Sequence, residues 1–302
     1  MSAGWLQSKL GFILTFVFLV IGGCIKKTHV PQKVEHLRAI VDRYDLFLVD
    51  VTGVVHNGVQ AYPGAVACLN DLIQKKRVVF LSNNPRPGTL LRRKLESLGI
   101  KGSFGTFTSG DATRLFITQQ KDKKLFHLGA HRNKDILEGL NVETVSNLEK
   151  AGLMLLTAFI EEGEDVAQFD DLLKQAAARN IPILCANPDK VAVHGDTVRS
   201  CAGTFAERAL AMGASVITMG KPSRTFYEYC PEASSCPKEK ILMIGDTLET
   251  DILGAQNFKI DSLLVFTGNA GTLLEKSGAK EPSVDFFKGE DPNPTYYMAR
   301  LG

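Results

Sequence analysis

The segment LFLVDVTGVVHNG (residues 46–58) is the strongest indicator of architecture in this chain. Four apolar residues, Leu46 to Val49, carry one carboxylate, Asp50, to the start of a loop. A short apolar run bounded by a glycine turn is typical of a strand buried on both faces of a parallel sheet. Ligands bind outside the carboxyl ends of such strands. The pattern therefore marks Asp50, and with it Thr52 two places later, as candidate functional residues.

Short apolar runs alternate with amphipathic segments over most of the chain, which predicts β-α units and a parallel sheet. The predicted strands cover residues 46–50, 78–82, 125–129, 153–159, 182–186, 215–219, 241–244 and 263–266. The predicted helices cover residues 63–74, 89–98, 110–119, 166–178 and 248–255. The Pro- and Asp-rich segment 281–302 predicts a loop with a short edge element. The fold class that follows is α/β.

Composition excludes several classes of protein. The chain has 302 residues, of which 44% are hydrophobic and 23% charged, with a formal net charge of +2, as in an ordinary globular protein. Neither a Lys/Arg run nor a basic-aromatic stripe is present, which argues against a nucleic-acid partner. The six cysteines form no C-x-x-C pair and have no histidine at zinc spacing. They are therefore interpreted as small buried apolar residues.

Residues 1–33 predict a leader that does not belong to the fold. Between Lys9 and Lys26 lie 16 uncharged residues, which is short for a membrane span and typical of the apolar region of a signal peptide. The segment IGGC, ending at Cys24, resembles a bacterial lipoprotein box. The alternatives are an uncleaved anchor, favoured by the lysine pair at Lys26, and a start codon placed upstream of a true start near Val34. A membrane-associated or exported protein follows from a real leader, and a cytoplasmic one from its absence.

Polar residues stand at the ends of the predicted strands and form a chemically coherent set. They are Asp50, Ser82, Asn83, Lys221, Asp246 and Asp251. A phosphate group requires positive charge and hydrogen-bond donors around its oxygens, and Mg²⁺ requires hard oxygen ligands. A carboxylate held against Mg²⁺ can attack phosphorus and form an acyl phosphate. The set predicts phosphoryl transfer.

Four motifs in order carry a family resemblance that covers roughly residues 44–268. The segments FLVDVTGVV, VVFLSNN, MGKPS and LMIGDTLETDI resemble the four motifs of the haloacid dehalogenase superfamily, in particular its class IIA branch of NagD-like and nitrophenylphosphatase-like hydrolases. The resemblance implies a Rossmann-like parallel-sheet core with a large inserted α/β cap domain. It also implies an enzyme that hydrolyses small phosphorylated metabolites with Mg²⁺ as cofactor.

The resemblance implies a role for each residue of the set. Asp50 would be the nucleophile that is phosphorylated, Ser82 would bind a phosphoryl oxygen with Asn83 beside it, and Lys221 would neutralise charge. The metal ligands would be Asp50, Asp246 and the main-chain carbonyl of Thr52. Asp251 would orient the lysine or a metal-bound water, and Gly53 would allow the tight loop. The alternative for each is structural: turn residues, a surface lysine, and caps at the start of helix 248–255.

Thr52 departs from the family pattern. Most phosphatases of this superfamily have a second aspartate at its position, which protonates the leaving oxygen and later activates water. General acid–base help of this kind is worth roughly 10²–10⁴-fold in rate, and an unassisted hydroxyl cannot supply it. His56, on the same loop, is a candidate substitute for the acid and a candidate substrate contact. The departure predicts slow turnover with a persistent phosphoenzyme, and its alternatives are a non-catalytic relative that binds a phosphorylated ligand or a phosphotransferase.

About 138 residues separate Ser82 from Lys221, far more than a crossover connection needs. This predicts a core domain of residues 34–87 and 214–302 and a cap domain of residues 88–213. Such a cap would close over the core and select the leaving group. Asn187 and Asp189 are candidate substrate contacts, with a structural Asx-Pro turn as the alternative. The resemblance is also compatible with a homodimer.

Overall fold

The computed structural model describes residues 30–157, 165–194, 197–289 and 291–302. Most of the predicted leader, with the lipoprotein box at Cys24, lies outside the described residues. Among the residues that are described, no helix is long and apolar enough to cross a membrane.

The described part of the chain contains fourteen strands and nine α-helices. The strands are β1 (Gln32–Lys33), β2 (Leu46–Asp50), β3 (Arg77–Ser82), β4 (Gly105–Thr108), β5 (Lys124–Leu128), β6 (Glu143–Thr144), β7 (Leu153–Leu156), β8 (Ile183–Cys185), β9 (Val191–His194), β10 (Thr197–Ser200), β11 (Val216–Thr218), β12 (Ile241–Gly245), β13 (Asp261–Val265) and β14 (Tyr296–Met298). The helices are α1 (Ala65–Lys75), α2 (Gly88–Ser97), α3 (Ser109–Gln119), α4 (Asp170–Ala178), α5 (Ala202–Ala211), α6 (Arg224–Tyr229), α7 (Pro231–Ser235), α8 (Leu253–Phe258) and α9 (Gly268–Lys276).

Seven strands form one large sheet in the order β1-β14-β13-β12-β2-β3-β4, and every neighbouring pair is parallel. All five residues of β2, near its centre, are buried. Phe47 and Val49 pack into one apolar cluster, whereas Leu46 and Leu48 pack into another. Because side chains alternate between the faces of a strand, a continuous apolar run is what a strand covered on both faces requires.

A smaller sheet is built from the middle of the chain. Its five strands run parallel in the order β11-β8-β7-β5-β6, and it has its own apolar cluster, to which α4 contributes Leu173 and α5 contributes Phe205. Strands β9 and β10 pair antiparallel as a separate two-stranded sheet. The predicted α/β fold, a Rossmann-like parallel sheet interrupted by a second α/β segment, is confirmed.

The chain passes from one sheet to the other at positions that differ from the predicted boundaries between core and cap. Strand β4 pairs with β3 in the large sheet although it lies within the predicted cap, residues 88–213. Strand β11 pairs with β8 in the small sheet although it lies within the predicted core, residues 214–302. By sheet membership, the inserted segment therefore lies between residues 108 and 219. Strand β4 was missed because its sequence, GTFT, has neither an apolar run nor a clear alternation.

The ends of the chain also differ from prediction. Strand β14 was predicted as an edge element, but β1 covers it, with Gln32 opposite Tyr296. The predicted leader, residues 1–33, therefore ends too late, since its last two residues belong to the large sheet. A strand of only two exposed residues carries no pattern that a sequence can reveal.

Two other elements were predicted with the wrong bounds or geometry. Strand β7 ends at Leu156, so that the predicted strand 153–159 is too long by at least one residue, and residues 158–164 lie outside the description. The predicted helix 248–255 begins with a π-helical turn, Leu248–Ile252, and continues into α8. Single π-helical turns are frequently found at functional sites.

The register of the large sheet brings three strand ends to one level. Asp50 of β2 is opposite Leu81 of β3, and Val49 is opposite Ile244 of β12. The residues that follow these strands therefore meet at one edge of the sheet, where α/β proteins bind ligands.

We expect Leu48→Ala to lower the free energy of unfolding by about 2–5 kcal/mol, because Leu48 is completely buried in the centre of the large sheet and its truncation leaves a cavity. The control is Val59→Ala, at a side chain that is 90% exposed, where the change should stay within about 0.5 kcal/mol. Denaturant unfolding followed by circular dichroism measures both. Equal effects of the two substitutions would contradict the proposed packing.

Candidate active site

The site is organised around a buried lysine. The ammonium nitrogen of Lys221 donates hydrogen bonds to Oδ1 of Asp50 and to Oδ1 of Asp251, the latter at 2.7 Å. All three residues are buried, with exposed fractions of 3% for Lys221, 8% for Asp50 and 1% for Asp251. Charges this deep are stable only when they are paired and hydrogen-bonded. The structure thus contradicts the alternative that Lys221 is a solvated surface lysine.

Burial and mutual interaction shift the pKa values of these groups. Burial alone would lower the pKa of Lys221, but the carboxylates of Asp251 and Asp50 outweigh it and raise that pKa, so the ammonium stays charged. Burial, with the neighbouring Asp251 and Asp246, raises the pKa of Asp50 against the opposing effect of Lys221. Burial and Asp251 raise the pKa of Asp246 to about 7. Three carboxyl groups thus share one ammonium, and a further cation beside Asp50 and Asp246 would favour their ionised forms.

Asp50, Asp246 and Asp251 form the carboxylate cluster. One oxygen from each lies within 4.8 Å of the other two, and all three side chains are buried. Oδ2 of Asp246 accepts a hydrogen bond of 2.6 Å from the backbone N–H of Asn269, at the N-terminus of α9, and Oδ1 accepts one of 3.2 Å from Thr247 Oγ1. Hard oxygens in excess of positive charge are the ligands that Mg²⁺ requires, and the donor set fits that ion.

The carboxylate of Asp251 accepts hydrogen bonds from both Lys221 and the backbone. While Oδ1 binds Lys221, Oδ2 accepts hydrogen bonds from the backbone N–H groups of Asp246 at 3.1 Å and Thr247 at 3.2 Å. The π-helical turn brings its side chain back against the end of β12. A side chain at Gly245 would overlap Asp251, so glycine is required there. The carboxylate of Asp251 is thereby fixed in place from two sides.

Two glycines with positive φ bring two loops together around Asp246. Gly53 (φ +98°) follows β2, and Gly268 (φ +50°) opens α9. A Cβ at either position would overlap Oδ2 of Asp246. The hydroxyl of Thr267 also donates to the carbonyl of Gly53. No role was predicted for Thr267, Gly268 or Asn269, although a glycine directly after a strand end was a usable signal.

Thr52 is exposed, unlike its neighbours in the loop. Its hydroxyl makes no hydrogen bond with any residue that the structure describes. The hydrogen bonds of the turn use the carbonyls of Val51 and His56, with Gly53 N–H donating to the latter at 2.8 Å, and not the carbonyl of Thr52. That carbonyl accepts no hydrogen bond from any residue that the structure describes, and its predicted role as a metal ligand stays a prediction.

His56 does not fit the role of a substitute acid. It is only 3% exposed, and its Nδ1 accepts a hydrogen bond of 2.8 Å from the backbone N–H of Gly58. Burial, with a smaller effect of Lys94, lowers the pKa of His56 to about 4. The imidazole is therefore neutral near pH 7 and braces the loop. These surroundings argue against the predicted proton donor, since a loop position did not imply exposure, and the predicted contact of His56 with substrate stays a prediction.

The second strand end supplies Ser82 and Asn83. The hydroxyl of Ser82 accepts a 3.2 Å hydrogen bond from the N–H of Asn84, which leaves its own proton for an acceptor. Asn83 is 6% exposed and binds the backbone of Lys221 and the carboxylate of Asp189. Asn83 was predicted only as a neighbour of Ser82, and it proves to connect three segments.

The two predicted substrate contacts have different surroundings. Asn187 is buried, and its Oδ1 accepts a 3.1 Å hydrogen bond from the N–H of Asp189, which is the structural turn kept as the alternative. Asp189 reaches the site through Asn83. The structure therefore brings Asp189 to the active site and gives Asn187 a supporting role.

Comparison with known proteins agrees with this geometry. The family described as haloacid dehalogenase-like hydrolase matches residues 47–143, and the HAD-hydrolase-like family matches residues 218–287. A crystal structure of a haloacid dehalogenase-like family hydrolase from Brucella suis 1330 is 30% identical, covers 89% of this chain and 100% of its own, and superposes with a TM-score of 0.74. The chain belongs to the haloacid dehalogenase-like hydrolase family.

Two curated relatives refine the place of the chain within the haloacid dehalogenase-like hydrolases. Phosphoglycolate phosphatase 1A from Arabidopsis thaliana is 26% identical, with 88% of this chain and 85% of that protein covered. The ribonucleotide monophosphatase NagD from Escherichia coli K12 is 27% identical, with 73% of this chain and 87% of NagD covered. The similarity to NagD confirms the predicted class IIA branch.

For this haloacid dehalogenase-like hydrolase we expect Gly268→Ala to be markedly more destabilising than Gly278→Ala. Both glycines have positive φ, so each substitution introduces backbone strain of roughly 1 kcal/mol. A Cβ at Gly278 meets nothing within 4 Å, whereas one at Gly268 overlaps Asp246 and the backbone of Gly53, which adds about 1–3 kcal/mol of overpacking. Denaturant unfolding of both variants measures the difference. Equal losses would show that the two loops are not in contact.

Proposed function

We propose that the protein is a phosphoric monoester hydrolase that cleaves small phosphomonoesters through a phosphoaspartate on Asp50. The observation that carries the proposal is the carboxylate of Asp50, presented at the end of a central buried strand and held by the buried ammonium of Lys221. The curated relatives named above as phosphatases support the same reaction class. The substrate class is a small phosphorylated metabolite.

The carboxylate cluster supports Mg²⁺ as cofactor. Asp50, Asp246 and the main-chain carbonyl of Thr52 would hold the ion, and the carboxylate oxygens of Asp50 and Asp246 already converge within 4.8 Å. When bound, a divalent cation supplies charge that polarises the phosphoryl oxygens. Asp246 is already oriented by Asn269 and Thr247, so little rearrangement of its carboxylate is needed.

In the first step, an oxygen of Asp50 forms a bond to phosphorus while the bond between phosphorus and the ester oxygen breaks. Lys221 remains protonated and neutralises charge that develops on the phosphoryl oxygens. The free hydroxyl proton of Ser82 is available to one of these oxygens. The leaving alcohol takes its proton from water, because neither Thr52 nor His56 can provide one near pH 7.

In the second step, a water oxygen forms a bond to phosphorus and the bond to Asp50 breaks, which restores the carboxylate and releases inorganic phosphate. No carboxylate stands at position 52 to take the proton from this water. The proposal is therefore a slow second step and a phosphoenzyme that accumulates. The same absence favours a second candidate, a relative that binds a phosphorylated ligand without cleaving it. Transfer of the phosphoryl group to another acceptor remains a third.

Membrane association through residues 1–33, with lipid on Cys24, and the alternative of a cytoplasmic protein stay predictions, because residues 1–29 lie outside the described part of the chain. The homodimer also stays a prediction.

We expect the full chain, mixed with Mg²⁺ and a reactive aryl phosphate, to give a burst of acid-quenched phosphoprotein followed by slow release of phosphate. Thr52→Asp should raise the steady-state rate by roughly 10²–10⁴-fold and abolish the burst, because it restores the acid and base. Rapid-quench measurement of phosphoprotein and phosphate follows both steps.

The controls for this experiment are Thr52→Asn, which has the shape of aspartate without its acid, and Asp50→Asn, which removes the nucleophile. Thr52→Asn should behave like the wild type, and Asp50→Asn should give neither phosphoprotein nor phosphate. Absence of Asp50-dependent phosphoprotein with a broad panel of phosphomonoesters and acetyl phosphate would overturn the hydrolase and favour the binding protein.

Mg²⁺ should stabilise the folded protein through the carboxylate cluster. At a concentration one hundred times the dissociation constant, we expect a gain of about 2.7 kcal/mol in the free energy of unfolding. Asp246→Asn should remove most of this gain because it deletes one ligand charge. The control is Asp171→Asn, at a side chain that is 91% exposed. Thermal unfolding with and without Mg²⁺ measures all three proteins, and an identical shift in both variants would place the ion elsewhere.

A further inference from the structure

The catalytic lysine enters the site from the inserted segment. Strand β11, which precedes Lys221, belongs to the small sheet, and the N–H of Met219 still donates to the carbonyl of Cys185 in β8 at 2.9 Å. Lys221 follows two residues later, and its ammonium lies against Asp50 of the large sheet. The backbone of the lysine therefore has no strand of the large sheet to hold it.

The side chain of Asn83 connects the backbone of Lys221 to the large sheet. Its Oδ1 accepts a 2.7 Å hydrogen bond from the N–H of Lys221, and its Nδ2 donates a 3.0 Å hydrogen bond to the carbonyl of the same residue. Asn83 directly follows β3, so these two bonds fix the backbone of Lys221 to the large sheet. Both are buried, where a hydrogen bond is stronger than in water and leaving a partner unsatisfied is costly.

Asp189 completes the arrangement from the side of the inserted segment. Its Oδ1 accepts a 2.8 Å hydrogen bond from Nδ2 of Asn83. We call the three hydrogen bonds of the Asn83 side chain the Asn83 clamp. A carboxylate can only accept hydrogen bonds, so Asp189 draws the NH₂ end of the amide toward itself. The oxygen end is thereby directed to the N–H of Lys221.

Close packing surrounds the clamp on the inserted side. Gly220 has a φ of +141°, and a Cβ there would stand 2.6 Å from Cδ of Pro188, so the segment before Lys221 lies directly on the segment before Asp189. The buried hydroxyl of Ser109 lies 2.8 Å from the carbonyl of Asn83 and 2.5 Å from that of Ala186. Ser109 thus links the residues after β8 to the residues after β3.

The hydrogen bond to Asn83 holds the carboxylate of Asp189 in an unfavourable environment. Among the described residues no ion pair of Asp189 is formed, and burial raises its pKa. Asp189 is half-buried, and a carboxylate withdrawn from water whose direct partner is a neutral amide is unfavourable by comparison with a polar residue left in water. Its position against Asn83 is therefore better explained by a role at the site than by stability.

We infer that Asp189 is a positioning residue which, through Asn83, fixes the backbone of Lys221 and so makes the inserted segment part of the catalytic apparatus. The inference deepens the proposed hydrolase function and rests on it for its kinetic consequence. It replaces the predicted direct contact between Asp189 and substrate.

The kinetic test compares Asp189→Ala with Asp189→Asn in the full chain with Mg²⁺ and an aryl phosphate. Because a catalytic group displaced by about 1 Å can lose 10²-fold in rate, we expect Asp189→Ala to lower kcat at least tenfold while KM changes less than about threefold. Asp189→Asn keeps an acceptor for Asn83 and should retain kcat within about threefold. Asp171→Ala, at an exposed aspartate, is the control.

A double-mutant comparison identifies the route of the effect. If Asp189 acts through Asn83, Asn83→Ala combined with Asp189→Ala should be no slower than Asn83→Ala alone. Additive losses would overturn the inference. So would a rise in KM at unchanged kcat, or an Asp189→Asn variant as impaired as Asp189→Ala, since either result assigns the carboxylate charge to substrate binding.

Amide hydrogen exchange tests the clamp without any turnover. The N–H of Lys221 is bonded to Asn83, and we expect Asp189→Ala to speed its exchange at least tenfold, while Asp189→Asn leaves it near the wild-type rate. Unchanged exchange in Asp189→Ala would overturn the inference. A wild type that shows no Asp50-dependent turnover would overturn the proposed function, and the exchange rates alone would then decide the clamp.

Discussion

The structure of the site depends on one ammonium group buried between two carboxylates. Lys221 can remain charged at this depth only because Asp50 and Asp251 approach it together, and each of them would be costly to bury without it. Their approach requires that β2, the turn after β12 and the segment after β11 converge at one point. The parallel register of the large sheet, the π-helical turn and the crossing between the two sheets all serve this convergence.

The sequence revealed those parts of the fold that burial imposes locally. Strands covered on both faces must be apolar over most of their length, so β2, β3 and β12 could be predicted, and the polar residues at their carboxyl ends were conspicuous. Shorter strands, β4 and β14 among them, were missed or misplaced, because three or four residues form too short a pattern. Their places in the sheet come from partners that lie far away in the chain, which no local pattern encodes.

The same contrast between local patterns and distant partners explains which residues of the site could be predicted. Asp50, Lys221 and Asp246 were predictable because each stands at or shortly after the end of a strand and belongs to a recognisable motif. The hydrogen bond between Asn83 and Asp189 joins residues 106 positions apart, and the sequence around either residue gives no sign of the other. His56 was misjudged for a related reason, since the protonation of a histidine depends on burial, and burial is a property of the folded loop.

The two described ends of the chain leave the large sheet at opposite edges. Strand β1 runs parallel to its neighbours, so residue 30 enters at the amino edge, away from the carboxylates. Strand β14 runs toward the carboxyl edge, and the residues after it end with Gly302 beside Gly64, just ahead of α1. A partner joined directly at residue 30 would therefore lie at the amino edge of the large sheet, away from the carboxylate cluster. The same attachment at Gly302 would lie beside Gly64 and the start of α1.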